Sequence, residues 1–188
     1  MAVAAKRDDR MGVAEYQDWV AGRPDDERWE LLDGEPVLMS PPSERHQTIV
    51  FTLSRRLAEL VEPKGCRVVP GIAIVSRHMD DIAPIPDVVV RCGPILPDVY
   101  ASDPVLVAEV LSPSTMSADR GRKTDFYRAV ESLQVFLIVY QDEPRVEVWR
   151  RQEGNAWRKQ ALGLDGAIEL PEFGGALPVA TVFAGLSF

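Results

Sequence analysis

The run Pro104–Leu111 is apolar apart from one carboxylate, Glu109. An apolar run of this length, followed by the turn-like Ser112-Pro113, is typical of a strand that is buried on both faces of a sheet. An ionised carboxylate in that position costs several kcal/mol unless a cation meets it. A carboxylate kept in that position is expected to have either a partner cation or a shifted pKa, which makes Glu109 a candidate functional residue.

A second carboxylate, Asp87, lies in the short apolar run 85–90. Pro84 and Pro86 place it near the start of its strand, because proline is tolerated there but not in the middle. Two buried carboxylates close together repel each other, and a divalent cation between them removes that repulsion. In the alternative interpretation each acid pairs with a different arginine. The apolar residues on both sides of Glu109 favour the metal site.

The composition is that of a globular protein, since 46% of the 188 residues are hydrophobic and 27% are charged. This length predicts one domain with its own core. The longest purely apolar stretches have about six residues, too few to span a bilayer, and the N-terminus lacks the apolar segment of a signal peptide. Cys66 and Cys92 form no CxxC motif and make no disulfide framework. We therefore predict a cytoplasmic protein without a membrane partner.

The net charge of −8 argues against non-specific binding to nucleic acid. A nucleic-acid partner would have to be held by a local basic patch. The chain offers two clusters, of which the second is more typical of a solvated face: Arg120, Arg122, Lys123 and Arg128, then Arg150, Arg151, Arg158 and Lys159.

The order of predicted elements indicates a mixed α/β (α+β) fold in a single domain. Residues 1–12 are polar and predict a disordered segment before a domain over 13–188. Apolar periodicity predicts helices over 13–21, from a Ser43 cap to about 61, and over about 117–131. It predicts a hairpin over 29–39 and strands near 66–75, 86–91, 105–111, 134–140 and 145–150, with one or two further hairpins in the last forty residues. The strand–helix–strand unit over 105–140 predicts two parallel strands with a right-handed crossover.

Lys123 lies on the helix of that unit, about six residues after a start near Ser117. Six helical residues return roughly 9 Å along the strand, and the step from Ser112 back to Glu109 covers roughly 10 Å. If the helix begins level with the end of the strand, Lys123 stands level with Glu109 and its side chain reaches the two acids. The alternative is an i,i+4 ion pair with Asp119, which contributes only about 0.2–0.5 kcal/mol.

Several short motifs occur in a specific order. They are Trp29-Glu30-Leu31-Leu32-Asp33-Gly34-Glu35, Ser40-Pro41-Pro42-Ser43 followed by His46, Pro86-Asp87-Val88, Glu109-Val110-Leu111-Ser112-Pro113-Ser114-Thr115, and Asp119-Arg120 with Lys123 and Tyr127. From about residue 13 to 186 the chain resembles the Uma family of restriction endonucleases, within the PD-(D/E)XK nuclease superfamily. The superfamily pattern places a lysine two residues after the glutamate, where this chain has Leu111. In the Uma family the lysine lies on the following helix, which Lys123 matches.

The resemblance implies a restriction-endonuclease-like mixed sheet flanked by helices, and metal-dependent hydrolysis of phosphodiester bonds in DNA. The implied metal ligands are Asp87, Glu109 and the backbone carbonyl of Val110. Mg²⁺, or alternatively Mn²⁺, suits such hard oxygen ligands. Lys123 is the third implied catalytic residue, and a homodimer is expected from the resemblance. The accessory candidates, each with a packing, capping or strand role as its alternative, are Glu30, His46 and Tyr127.

Two other function classes remain as alternatives. A catalytically inactive, dimeric interaction module would keep the nuclease fold, and two features favour it. These are the acidic net charge and the departure from the family at 129–136, where members usually carry a Gly-Val-x-Glu-Tyr-Trp-like segment. A glycosidase also uses two carboxylates, but the aromatic residues, 7% of the chain, are not concentrated near this pair.

Overall fold

The computed structural model of the protein describes residues 10–97, 99–112 and 121–188. Within these ranges the helices are α1 (Val13–Val20), α2 (Glu44–Val61), α3 (Arg122–Ala129) and α4 (Val179–Val182). The strands are β1 (Trp29–Leu32), β2 (Glu35–Leu38), β3 (Arg67–Val69), β4 (Ala73–Ile74), β5 (Val88–Arg91), β6 (Tyr100–Ala101), β7 (Pro104–Leu111), β8 (Val135–Tyr140), β9 (Val146–Arg151), β10 (Trp157–Leu162), β11 (Ala167–Leu170) and β12 (Gly175–Pro178).

A six-stranded mixed sheet, in the order β10–β9–β8–β7–β5–β3, forms the centre of the fold. The strands β7 and β8 are parallel, as predicted for the 105–140 unit, and the other neighbours in this sheet are antiparallel. The prediction of a single mixed α/β domain with helices on its sheet is confirmed. Glu109 therefore lies on an interior strand, between β5 and β8.

The two faces of the sheet carry separate hydrophobic cores, because successive strand side chains point to opposite faces. On one face Ala108 packs with α2 residues such as Leu53. On the other face Val107 packs with α3 residues such as Tyr127. Glu109 is two residues from Val107, so its side chain lies on the α3 face, within an otherwise apolar layer.

Helix α2 begins and ends where its sequence predicts. The Ser43 side chain accepts a hydrogen bond from the His46 backbone N–H, which caps the first turn. The helix stops at Val61, before Pro63 and before Gly65, whose φ of 76° is left-handed. This cap fixes the direction of the first turn and with it the position of the His46 side chain.

The hairpin of β1 and β2 turns at Asp33-Gly34, as predicted. Both residues have positive φ, 52° and 76°, which such a two-residue turn requires. Leu31 joins this hairpin to the segment before β5, because it exchanges two backbone hydrogen bonds with Ala83. The hairpin thereby brings Glu30 to the segment that leads into Asp87.

Some boundaries differ from the predictions. The predicted strand over 66–75 is two short strands, β3 and β4, separated by a turn at Gly71 with φ 68°. Helix α3 ends at Ala129 instead of 131, and its predicted start at 117–120 lies outside the described residues, as does the predicted disordered segment up to residue 9. Residues 10–12 of the predicted disordered segment 1–12 are described, and there Met11 donates its backbone N–H to the Gly34 carbonyl.

We expected no disulfide from the two cysteines, but the structure bonds Cys66 to Cys92. The two residues flank β3 and β5, and the antiparallel register that pairs Arg67 with Arg91 also brings the cysteines together. The prediction of a reducing compartment loses its support from the cysteine pattern. Among the described residues, no helix combines the length and the hydropathy that a membrane span needs.

Candidate active site

Asp87 and Glu109 lie on neighbouring strands at the same end of the sheet. The register pairs Val88 with Ala108, so one further step along the antiparallel pair sets Asp87 opposite Glu109. Residues opposite each other in such a pair have Cβ atoms about 4.5–5.5 Å apart. Asp87 Oδ2 accepts a hydrogen bond from the Val110 backbone N–H at 2.8 Å, which holds its carboxylate against β7.

Two α3 side chains meet the Glu109 carboxylate. The Tyr127 hydroxyl donates a hydrogen bond to Glu109 Oε1 at 2.6 Å, and Lys123 Nζ lies 3.5 Å from the same oxygen. The Glu109 and Lys123 side chains are only 4% and 3% exposed. Lys123 on α3, the helix that follows β7, is thus a partner cation of the buried Glu109.

Lys123 also pairs with a second acid. Its Nζ lies 2.9 Å from Glu30 Oε2 on β1, and Glu30 is itself buried. The same Glu30 oxygen accepts the Ile85 backbone N–H at 3.3 Å, two residues before Asp87. Lys123 therefore bridges Glu30 and Glu109, two carboxylates that are far apart in sequence.

His46 faces the remaining acid from the first turn of α2. Its Nε2 lies 3.3 Å from Asp87 Oδ2, and the two side chains are 11% and 18% exposed. The Ser43 cap and the long helix behind it position this imidazole. His46 is thus the α2 contribution to a cluster otherwise built from β1, β5, β7 and α3.

The structure brings the predicted catalytic and accessory side chains into one cluster. Val110 contributes its N–H to Asp87. Its predicted metal-binding carbonyl stays a prediction, as do the roles of the other candidates. The alternative partner for Lys123, Asp119, lies outside the described residues. His78, which received no predicted role, pairs at the surface with Glu131 at 3.0 Å.

Two described residues of the first predicted basic patch, Arg122 and Lys123, are held by carboxylates. Arg122 pairs with Asp33 and with Asp81, and Lys123 is buried in the cluster. In the second predicted basic patch, Arg151 donates hydrogen bonds to the backbone carbonyls of Leu133 and Val130. This side chain therefore stabilises the backbone that follows α3.

Tyr16 of α1 supports the cluster, and the sequence predicted only the helix that carries it. Its hydroxyl donates to the Trp29 carbonyl at 2.5 Å, next to Glu30 on β1. Burial, with smaller contributions from Tyr100 and Glu30, raises the pKa of Tyr16 well above its usual value. The phenol therefore stays protonated and keeps β1 in place.

Glu147 is a buried carboxylate that the sequence analysis missed. It alternates with Val146 and Val148, a pattern that indicates an exposed side chain on a strand with one buried face. The structure instead buries it on the α3 face, where it accepts the Tyr140 hydroxyl at 2.9 Å and pairs with Arg145 at 2.9 Å.

The donor set fits a hard divalent cation. Asp87 and Glu109 present carboxylates from adjacent strands, and Mg²⁺ is held by one or two carboxylates while it keeps several waters. Within the described ranges, no three His, Cys, Asp or Glu side chains form a ready-made metal cage. The three carboxylates of Glu30, Asp87 and Glu109 outnumber the one buried lysine, which favours a further positive charge at this position.

Comparisons with known proteins identify the family of this chain. The family model Uma2, described as "putative restriction endonuclease", matches residues 13–180. The uncharacterized protein slr1290 of Synechocystis sp. is 26% identical over 181 residues, covering 95% of this chain and 94% of that protein. A second uncharacterized Synechocystis protein, sll1609, is 28% identical over 148 residues, covering 76% and 84%.

Among solved structures, the fold matches the crystal structure of a putative nuclease belonging to DUF820 from Anabaena variabilis. The TM-score is 0.75 at 18% sequence identity, and the match covers 93% of this chain and 98% of that one. The likeness at this identity concerns the fold. The family match over residues 13–180 shows that this chain belongs to the Uma2 family.

Proposed function

We propose that this protein is a metal-dependent endonuclease that hydrolyses phosphodiester bonds in DNA. The observation that carries the proposal is the placement of Asp87 opposite Glu109, with the buried ammonium of Lys123 at the Glu109 carboxylate. The Uma2 family description supports the reaction class.

Asp87 and Glu109 are the side chains that would hold the ion, with the Val110 carbonyl as a third ligand. When bound, Mg²⁺ or Mn²⁺ supplies a bound water of lowered pKa and neutralises charge that develops on the phosphate. The Val110 N–H fixes one Asp87 oxygen, and the Tyr127 hydroxyl fixes one Glu109 oxygen. Such supporting hydrogen bonds orient ligands and sustain metal affinity.

Lys123 would orient the attacking water or stabilise negative charge on the phosphate, since its ammonium is held in a water-poor pocket. Glu30 keeps that ammonium charged and aimed at the site through the 2.9 Å ion pair. His46, beside Asp87, is placed to contact a phosphate oxygen or to take up a proton. A homodimer, which the resemblance to the family implies, is part of the proposal.

A metal titration with a cleavage assay tests the proposal. Mg²⁺ should raise the free energy of unfolding of the wild type by about 2.7 kcal/mol at 100 times Kd, and this gain should vanish in Asp87→Asn and Glu109→Gln. The wild type should cleave DNA, whereas Lys123→Met purified in parallel should not. Equal cleavage by both preparations would indicate a contaminating nuclease and would contradict the proposal.

A second candidate is the inactive, dimeric interaction module that keeps the nuclease fold. The observation that favours it is the closer contact of Lys123 with Glu30, 2.9 Å, than with Glu109, 3.5 Å, because a self-neutralised cluster can be purely structural. Absence of any metal effect on unfolding, together with a loss of stability in Glu109→Gln, would select this candidate over the nuclease.

A further inference from the structure

Two indoles and two cations form a strip on the α3 face of the sheet, beyond the active-site cluster. Trp149 on β9 lies opposite Lys159 on β10, whose Nζ is 5.4 Å from the centre of the Trp149 ring. The Arg128 guanidinium, at the C-terminal end of α3, lies 5.9 Å from the same ring. Trp157 at the start of β10 belongs to the same apolar layer. We call these four residues the β9–β10 strip.

The β9–β10 strip continues directly from the site. Trp149 is two strands from β7 and two residues along from the row of Glu109, so their backbones are roughly 12 Å apart at standard sheet spacings. The Tyr127 ring, whose hydroxyl binds Glu109, packs against Phe136 with ring centres 4.9 Å apart. Phe136 is in turn the direct cross-strand partner of Trp149.

The two cations of the strip are available to an anionic ligand. Their side chains are 44% and 47% exposed, and their carboxylate contacts are long: Arg128 to Asp125 and Lys159 to Glu147, both at 3.9 Å. The Arg128–Asp125 pair is exposed and contributes only about 0–1 kcal/mol. Glu147 is buried, but its 3.9 Å contact with Lys159 is too long for a hydrogen bond, so a phosphate can replace the carboxylate in both pairs. Glu147 keeps its closer ion pair with Arg145 at 2.9 Å when Lys159 turns away.

The indoles favour one kind of anion. Both Trp149 and Trp157 are half-buried, and their Nε1 atoms have no hydrogen-bond partner among the described residues, so packing holds their rings. Arg128 and Lys159 lie at the Trp149 ring, and Arg151 lies over the Trp157 ring at 4.7 Å. Stacking of a nucleobase on such a ring contributes about 1–3 kcal/mol, and it requires a base that is not already stacked in a duplex. Cations beside aromatic rings are the usual composition of a surface for unpaired nucleic acid.

We propose that the β9–β10 strip binds an unpaired segment of the nucleic-acid substrate and leads it toward Asp87 and Glu109. This inference rests on the proposed function. Arg128 and Lys159 bind phosphates, and Trp149 stacks on a base. The substrate class is therefore a nucleic acid with an accessible single-stranded region, held over β9 and β10, two and three strands from β7.

Binding is measured on the full chain with EDTA present, so that no cleavage occurs. A fluorescent thymidine oligonucleotide of about 12 nucleotides is compared with a duplex of equal length, and tryptophan emission is followed in the same titration. The variants are R128Q/K159Q, W149L and W149F. The matched control is R158Q, which removes an exposed charge from the neighbouring position of β10, on the opposite face of the sheet.

We expect R128Q/K159Q to weaken single-strand binding about 10-fold and to reduce the salt slope by about 1–2, while R158Q binds like the wild type. W149L should weaken it about 10-fold, and W149F, which keeps an aromatic ring, should restore part of the loss. The single strand should bind more tightly than the duplex. Thermal unfolding of each variant separates a lost contact from a lost fold.

The inference is overturned if R128Q/K159Q binds like R158Q, if W149L and W149F both bind like the wild type, or if the duplex binds more tightly. A wild type that binds through the strip but never cleaves would refute the proposed function and leave the inference standing. If the wild type cleaves and Lys123→Met does not, while the strip variants bind normally, the proposed function stands and the inference is refuted.

Discussion

Glu109 and Glu147 are two buried glutamates in the same row of the sheet, and they differ in what neutralises them. The register joins Glu109 to Ile138 and Ile138 to Glu147 across three neighbouring strands. Each carboxylate accepts a tyrosine hydroxyl, at 2.6 Å and 2.9 Å. The lysine of Glu109 is 3% exposed, whereas the cations of Glu147, Arg145 and Lys159, are 40% and 47% exposed.

This difference separates a site from a structural ion pair. An acid beside flexible surface cations is neutralised with little desolvation of the cation. Burial of Lys123 between Glu30 and Glu109 desolvates all three charges, and a buried ion pair of this kind is often no more stable than apolar residues of equal volume. Stability alone therefore does not account for the Glu109 cluster, and this supports the catalytic role that we propose for it. Four paired substitutions test this distinction.

The largest contrast is expected between Glu109→Gln and Glu147→Gln. E109Q removes a proposed metal ligand, so DNA cleavage should fall by about 10³-fold or more, while E147Q should keep kcat unchanged. In EDTA, E109Q should raise the free energy of unfolding by about 1 kcal/mol because it relieves repulsion with nearby acids. E147Q should lower it by about 1.5–3 kcal/mol, since charged hydrogen bonds are lost. Urea unfolding measures the stability of the two variants, and single-turnover assays measure their cleavage rates. If the two variants change stability and cleavage equally, Glu109 does not differ from Glu147 in role.

Lysine substitutions should give the next largest contrast. Lys123→Met leaves Glu30 and Glu109 buried without their shared ammonium, so we expect a loss of about 3–5 kcal/mol in stability. Cleavage should fall by about 10²–10³-fold. Lys159→Met removes a half-exposed ammonium that lies 3.9 Å from Glu147, which keeps its closer partner Arg145, and should cost about 1 kcal/mol or less. Denaturant unfolding of the two variants measures these losses in the free energy of unfolding. Equal losses would contradict the burial of Lys123 between Glu30 and Glu109.

The two tyrosines allow stability to be separated from activity. Tyr127→Phe and Tyr140→Phe each remove a hydroxyl from a buried carboxylate, so both should lose about 1–3 kcal/mol in the free energy of unfolding. Only Tyr127→Phe should reduce cleavage, by about 10–100-fold, because it orients a proposed metal ligand. A matching loss of cleavage in Tyr140→Phe would place Glu147 within the active site.

The two histidines of the chain give the smallest expected effect. His46→Gln removes the imidazole 3.3 Å from Asp87, and cleavage should fall by no more than about 10-fold. His78→Gln removes only a surface contact with Glu131 and should leave cleavage unchanged. Comparison of the two pH–rate profiles measures the effect. A profile of His46→Gln identical to that of the wild type would exclude His46 from proton transfer.

Much of the fold could be predicted because local patterns specify it. The stripe Ile49, Leu53, Leu57 with a serine cap predicts α2, and the Asp33-Gly34 turn predicts the first hairpin. The prediction of one strand over 66–75 is wrong because it overlooks the turn signal of Pro70-Gly71, which separates β3 from β4. The disulfide was missed because pairing of Cys66 with Cys92 depends on strand register, which a two-cysteine count cannot supply.

The sequence alone determined that Glu109 lies on a buried strand, that Asp87 begins another, and that Lys123 follows at a distance suited to reach them. Those conclusions rest on local periodicity and on the standard rise of helices and strands. Only the tertiary structure decided that Lys123 is shared with Glu30, that His46 meets Asp87, and that Glu147 is buried. The physical reason is that a local pattern sets which face of an element is apolar, whereas the partner that covers each face comes from elements far away in the chain.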